Sequence, residues 1–308
     1  MPDEVISTHA LTRYFGSRRA VDAVSLTIPR GCVFGLLGRN GSGKTTLVRM
    51  LLGLLEPTRG SAAVLGHDSR ALPPALLARI GYLPEGHPVY GWMRVREHGE
   101  FQRRFYPRWN DAVYQTVVRY FQLDTAARVG TLSRGERAGL SLALALAPEP
   151  ELLVLDDPAL GLDPVARRAL LEAMVYVTRG EGRTILFTSH LVGDVERVAD
   201  RIAVLDRGRL RACCTLEWFR RQVRRVVLRF AGPAPATAAV PGLLRGLRTD
   251  RELVLTIANF DGRTEATLRE LGPARMDEVP LDLEEAFISY LDQGAERSFL
   301  ATTPGGAA

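Results

Sequence analysis

The sequence predicts an α/β fold around a mostly parallel sheet, followed by a second, smaller α/β unit. Three observations carry this. Short apolar runs with the character of strands buried on both faces recur at Cys32–Leu37, Leu152–Leu155, Thr184–Thr188 and Ile202–Leu205. Stretches with helical spacing separate them. A glycine-rich loop stands between the first run and a helical stretch over Thr45–Leu55.

In chain order, residues 3–30 alternate apolar and polar side chains (Val21-Asp22-Ala23-Val24-Ser25-Leu26-Thr27-Ile28) and end at Pro29-Arg30-Gly31, which predicts short antiparallel strands. Ile80-Gly81-Tyr82-Leu83-Pro84 reads as another strand. From about 94 to 147 the pattern is mainly helical, with apolar spacings of three and four at Val113, Val117, Val118 and Phe121. Thr215 to about Asp292 reads as a separate unit, with strands Arg225–Phe230 and Leu253–Ala258 and helices Glu265–Leu271 and Leu283–Leu291. A Pro/Ala-rich loop at 231–241 interrupts it, and the tail after Phe299 reads as disordered. No internal repeat is visible.

At 308 residues, 46% hydrophobic and 24% charged, the chain has the length for about two domains with a real core. This composition excludes a disordered, collagen-like or disulfide-stapled chain. Cys32, Cys213 and Cys214 are odd in number with two adjacent, which fits a reducing compartment. The amino terminus lacks the basic start and apolar stretch of a secretory signal. The longest nearly uncharged apolar run, Leu140–Pro148, is far short of the ~20 residues that span a bilayer, so a soluble protein is expected, serving a membrane only through a partner. The net charge of +5 is not gathered into a basic face interleaved with aromatics, and no nucleic-acid partner is expected. Lys44 is the only lysine; every other basic residue is arginine. A position that keeps a compact ammonium in such a chain points to a specific use.

That lysine lies in Gly38-Arg39-Asn40-Gly41-Ser42-Gly43-Lys44-Thr45, which matches G-x-x-x-x-G-K-[ST] in the context of strand before and helix after. Glycines let the backbone wrap a polyphosphate, and successive N–H groups with the helix N-terminus form an anion nest. The candidate set for binding a nucleoside triphosphate is therefore Gly38, Asn40, Gly41, Ser42, Gly43, Lys44, Thr45 and Thr46. Lys44 would reach the β- and γ-phosphates and the Thr45 hydroxyl would ligate Mg²⁺. Leu152-Leu153-Val154-Leu155-Asp156-Asp157 is an apolar strand ending in two acids, at the end of a strand where α/β sheets bind ligands. Asp156 is the candidate Mg²⁺ holder, and Asp157 would face an attacking water.

Between these two motifs, Leu132-Ser133-Arg134-Gly135-Glu136 resembles the LSGGQ signature of ABC ATPases. The order resembles theirs as well: phosphate loop, a Gln-loop position at Ile80–Glu85, signature, paired acids, a D-loop at Ala159-Leu160-Gly161-Leu162-Asp163, and a switch histidine in Thr188-Ser189-His190. The resemblance covers roughly residues 3–214. It implies a P-loop NTPase with a RecA-like core, an antiparallel β subdomain and a helical signature subdomain at about 86–147. By the same resemblance 1–214 is the nucleotide-binding domain, 215–295 a small C-terminal α/β accessory domain and 296–308 a disordered tail. Phe15, or its neighbour Tyr14, stands where the family's aromatic stacks on adenine. Ser133, Gly135 and Glu136 would meet the γ-phosphate of ATP held by the opposite subunit, and His190 would bond that phosphate and steady the water. His9, His67, His87 and His98 carry no motif and read as structural or solvated.

Three departures fall inside the site. Glu85 stands where the family has a Gln contacting Mg²⁺ and the water, as is common in the sodium- and drug-exporting branch. Arg134 and Glu136 replace Gly and Gln in the signature. Asp157 replaces the Glu that polarises the water, and one missing methylene sets the carboxylate back by roughly 1 Å, enough to slow hydrolysis. The segment Phe105-Tyr106-Pro107-Arg108-Trp109-Asn110 resembles the drug- and antibiotic-efflux branch. The function implied is the ATP-binding subunit of an ABC exporter. It would hydrolyse ATP at the interface of a homodimer, or of a heterodimer with another ABC ATPase subunit, on the cytoplasmic face of the inner membrane, beside a membrane permease. A soluble ABC ATPase, or an ATP-dependent regulator with weak turnover, is the alternative. The Arg220-Arg221 and Arg224-Arg225 cluster reads as a solvated helix face or a contact to anionic lipid headgroups.

Overall fold

The computed structural model describes residues 4–235 and 240–291, with the side chains of 177–181 left aside. The expected tail at 296–308 lies outside the described residues. The chain divides between Thr215 and Leu216 into two units. In order, the first carries β1 (Glu4–Phe15), β2 (Arg18–Val24), β3 (Thr27–Pro29), β4 (Val33–Leu37), α1 (Lys44–Leu51), β5 (Arg59–Val64), β6 (His67–Asp68), α2 (Pro74–Leu77) and β7 (Ile80–Leu83). There follow α3 (Val95–Arg103), α4 (Asp111–Tyr120), α5 (Arg134–Leu146), β8 (Leu152–Leu155), α6 (Pro164–Glu181), β9 (Thr184–Ser189), α7 (Val192–Val198), β10 (Arg201–Asp206) and β11 (Arg209–Thr215).

A strand with no polar face has to lie between two layers, and every residue of β4, β8 and β9 is buried. They form the middle of a six-stranded sheet ordered β11-β10-β4-β9-β8-β7. From β10 to β7 the neighbours are parallel, and β11 closes the other edge antiparallel. The alternating N-terminal segment makes a separate antiparallel sheet, β2-β1-β5-β6 with β3 also on β1. Its inward side chains, among them Ile6, Leu11, Val21 and Ile28, share one core with Phe34 and Leu36 of β4 and Leu47, Val48 and Met50 of α1. The phosphate-loop helix is thus clamped between the two sheets.

The segment between β7 and β8 is helical because its caps and apolar spacing agree. Asn110 Oδ1 accepts from the N–H groups of Ala112 and Val113 to start α4. α5 buries every residue from Ala138 to Leu146 and packs against α3, α4, α6 and β7. Close approach there needs a glycine: a Cβ on Gly139 would lie 2.3 Å from Cγ of Phe121. Among the described residues no helix is long and apolar enough to cross a membrane.

The second unit comprises α8 (Leu216–Gln222), β12 (Val223–Arg229), β13 (Leu243–Arg248), β14 (Glu252–Ala258), α9 (Gly262–Glu270), β15 (Arg275–Val279) and α10 (Leu283–Leu291). Its sheet, β13-β14-β12-β15, is antiparallel throughout. Val226, Leu228, Leu253, Leu255, Ile257 and Leu268 form its core. The two central strands were readable from the sequence; β13 and β15 were not, because as edge strands they bury few side chains.

Gly139→Ala is expected to lower stability by ~1–3 kcal/mol despite alanine's better helix propensity, because the added methyl overlaps the Phe121 ring. The chemical-denaturation midpoint checks this, and Phe121→Leu should recover part of the loss in the double variant.

Candidate functional site

The chain leaves β4 into a loop that only glycine can follow at two places. A Cβ on Gly38 would lie 2.4 Å from Ser42 Oγ and 2.5 Å from the Leu205 carbonyl oxygen. Gly43 sits at φ +108° with the Ala20 carbonyl oxygen 2.3 Å from where its Cβ would be. α1 begins at the next residue, so its unpaired N–H groups open onto the loop. Lys44 Nζ turns back and donates to the Gly38 carbonyl at 2.8 Å. Burial pulls the Lys44 ammonium below its ordinary pKa, against the opposing charges of Asp157, Asp156 and Glu85.

β8 delivers Asp156, 1% exposed, to the same edge of the sheet. Its Oδ1 accepts from Thr45 Oγ1 at 3.1 Å and Thr188 Oγ1 at 2.9 Å. Its Oδ2 is buried with no hydrogen-bond partner, as is Ser42 Oγ. Burial pushes the Asp156 carboxyl up, the two hydroxyls oppose this, and the neighbouring Asp157 charge adds to it. A buried carboxylate oxygen left without a donor, beside a threonine hydroxyl, fits a divalent cation. Mg²⁺ in particular takes one or two carboxylates and completes its shell with phosphate and water.

Asp157 follows in the left-handed region, φ +45°, uncommon for a residue with a side chain. Its N–H donates to Thr188 Oγ1 at 2.8 Å. Its carboxylate meets His190 Nδ1 at 3.0 Å, and with Asp157 ionised the proton sits on that nitrogen. Phe15, Asn40, Gly41, Gly43, Lys44, Thr45, Thr46, Glu85 and Asp157 line one cavity of about 390 Å³. Asp156 and His190 stand behind it, held by Thr45 and Asp157. Phe15 is 47% exposed, with the Arg13 guanidinium 4.8 Å from its ring centroid.

Ser133, Gly135 and Glu136 do not line that cavity. They open α5, where Ser133 Oγ accepts from the Glu136 N–H at 3.2 Å and Glu136 Oε2 accepts from the Ser133 N–H at 2.7 Å. Glu136 therefore closes a capping box that needs an oxygen at that place, which Glu and Gln both offer. A Cβ on Gly135 would lie 2.7 Å from the Ala166 methyl, so this end of α5 is pressed against α6. Arg134 donates to the Gly161 carbonyl at 3.4 Å, joining the signature to the loop that follows the paired acids.

One residue escaped the sequence reading, and two were read without their partners. Arg18 lines the cavity and lies 3.6 Å from where a Gly41 Cβ would be; the Arg18-Arg19 pair just after Phe15 was the available signal. Thr188 was read as a strand end and as the start of the switch-histidine motif, without its bonds to Asp156 and Asp157. His87 is buried, and its Nε2 meets the carbonyl of Pro158 at 2.9 Å, tying the loop of Glu85 to the turn after Asp157; nothing in its spacing marks this.

A sequence model of the ABC transporter family matches residues 21–160. The Nod factor export ATP-binding protein I of Neorhizobium galegae is 31% identical over 304 residues, covering 96% of this chain and 87% of that protein. The ABC transporter ATP-binding protein YtrB of Bacillus subtilis (strain 168) is 29% identical over 285 residues, 92% of this chain and 97% of the relative. Among solved structures, one described as an ATP binding subunit of an ABC transporter superposes with a TM-score of 0.64 at 29% identity, over 70% of this chain and 92% of that one.

Arg18→Ala is expected to weaken ATP binding by about tenfold at low salt, the loss of one charge-assisted contact. Equilibrium titration with a fluorescent ATP analogue checks it. The deficit should shrink as salt rises, because Arg18 is exposed and screened.

Proposed function

This chain belongs to the ABC transporter family, and from that premise we propose that it is the ATP-binding and ATP-hydrolysing subunit of an exporter. The observation that carries this reading is the meeting of phosphate loop and paired acids. Thr45 bonds to Asp156 at 3.1 Å, while Lys44, Glu85 and Asp157 line one cavity. The glycine backbone and α1 N-terminus bind the β- and γ-phosphates through N–H groups, and Lys44 places its ammonium between them. Thr45 and Asp156, with Glu85 at the rim, hold Mg²⁺, which supplies charge neutralisation on the phosphate oxygens. Asp157 orients the attacking water and takes its proton, and His190 fixes the direction of that carboxylate.

The signature residues support a two-copy site. Ser133 is exposed and Gly135 half-buried at the N-terminus of α5, and neither lines the cavity of its own chain. In this reading they grip the γ-phosphate held by a second ATPase subunit, so the triphosphate bridges two protein faces and hydrolysis releases them. An exposed aromatic cluster supports the membrane partner. Tyr90 lies 6.1 Å from Trp92 and 6.0 Å from Phe101, which is 5.2 Å from Phe105, and Trp92 is 70% exposed. Apolar rings gathered on a surface mark an interaction site, here for a permease at the cytoplasmic face of the membrane. Residues 216–291 act as an accessory unit.

Two experiments test the reading. Lys44→Ala and Ser133→Glu subunits, each inactive alone, are expected to regain up to about a quarter of parental ATPase activity when mixed equally. Half the dimers are then mixed, and each of these holds one intact site of its two. Additive inactivity would remove the shared site. Asp157→Glu is expected to raise kcat, by up to ~10²-fold, because the longer acid recovers the lost reach; unchanged single-turnover rates would show that the shorter acid is no handicap.

A further inference from the structure

We infer that Thr188 is a positioning residue for hydrolysis. Its hydroxyl locks Asp157 in the left-handed turn that brings the shortened carboxylate onto His190. The inference rests on the reading of Asp157 as the water-facing acid.

A threonine hydroxyl has one proton to give and lone pairs to receive. Thr188 is fully buried, and both capacities are committed within the site. It donates to Asp156 Oδ1 at 2.9 Å and accepts the Asp157 N–H at 2.8 Å. The two bonds fix consecutive residues of β8's end from the neighbouring strand, where Leu155 pairs with Phe187. They act at a place where the backbone resists: Asp157 has φ +45° and a Cβ. Backbone bonds share in this: the Asp156 N–H donates to the Leu83 carbonyl at 2.8 Å and the Leu160 N–H to the Asp157 carbonyl at 3.1 Å, while the Asp157 N–H is left to the Thr188 hydroxyl.

The shortened acid makes this grip matter. A glutamate has a further rotatable bond with which to correct the aim of its carboxylate; an aspartate has only χ1 and χ2, so its reach follows the backbone direction. In this chain Thr188 is the side chain that holds the Asp157 N–H, and the carboxylate so directed makes the 3.0 Å contact to His190 Nδ1. Thr188 does not itself line the phosphate cavity and reaches that lining only through the Asp157 N–H, so its loss should alter the chemical step rather than nucleotide capture.

The test compares Thr188→Val, which keeps shape and strand propensity without the hydroxyl, with Thr188→Ser, which keeps the hydroxyl. The expected result for Thr188→Val is a kcat at least about tenfold lower, with KM for ATP and magnesium-free ATP binding within about twofold of parent. Thr188→Ser should recover kcat to within about threefold. In the nucleotide-free protein, the His190 Nδ1 signal in ¹⁵N-histidine NMR spectra, assigned with a His190→Gln variant, should move in Thr188→Val and stay in Thr188→Ser. If Thr188→Val melts below the assay temperature, Thr188→Ala carries the same expectations. A parental kcat in the hydroxyl-free variant, a loss that serine does not restore, or an equal loss of ATP affinity would overturn the proposal. Asp157→Asn separates the two readings. If it keeps parental turnover, the role of Asp157 itself falls; if it is inactive while Thr188→Val is parental, only the role of Thr188 falls.

Discussion

One carboxylate organises the first unit: Asp156, buried at the end of β8, with one oxygen saturated by two hydroxyls and the other bonded to nothing. A buried carboxylate is stable only where neighbours compensate it, and here they come from three directions. Thr45 reaches it from the phosphate loop, Thr188 from β9, and the Lys44 ammonium lowers the energy of its charged form. The geometry follows from the sheet. β4, β9, β8 and β7 are neighbours and all parallel, so their carboxyl ends lie along one edge. The phosphate loop, His190, the paired acids and Glu85 each follow one of these strands, and they converge although up to about 150 residues separate them in the chain.

Burial sets the electrostatics of the site. Burial shifts Lys44 down and Asp156 up, each away from its charged form. On the proposed reading, a polyphosphate with a divalent cation would bring charge of both signs at once: anionic oxygens for Lys44 and the helix N-terminus, a cation for the unbonded oxygen of Asp156. Burial makes these interactions strong, since each is made in a medium of low dielectric constant. The bond of Lys44 to the Gly38 carbonyl is one it can exchange for a phosphate oxygen at little net loss.

The core and the heart of the site were legible because both rest on strict local constraints. β4, β8 and β9 announced themselves as apolar runs, and the phosphate loop did so through glycines that no other residue can replace at Gly38 and Gly43. What could not be read was of two kinds. Edge strands such as β13 and β15 bury too few side chains to show an alternating pattern. Residues such as Thr188, His87 and Arg18 owe their places to partners 31, 71 and 23 positions away in sequence, at Asp157, Pro158 and Gly41. A common residue type at an ordinary position carries no sign of such long-range bonds. The signature stood between these cases: Ser133 and Glu136 were visible as a motif, while the capping box that explains why an acid suits the last place needed coordinates.

Lys44 is the only lysine in a chain otherwise furnished with arginine. Guanidinium groups do not react with mild acylating reagents, so the protein offers such chemistry a single side-chain amine, and that amine is folded over its own loop. The phosphate loop thereby carries a built-in reporter: the pace of acylation at one atom reads whether the loop is filled, with no probe engineered into the protein.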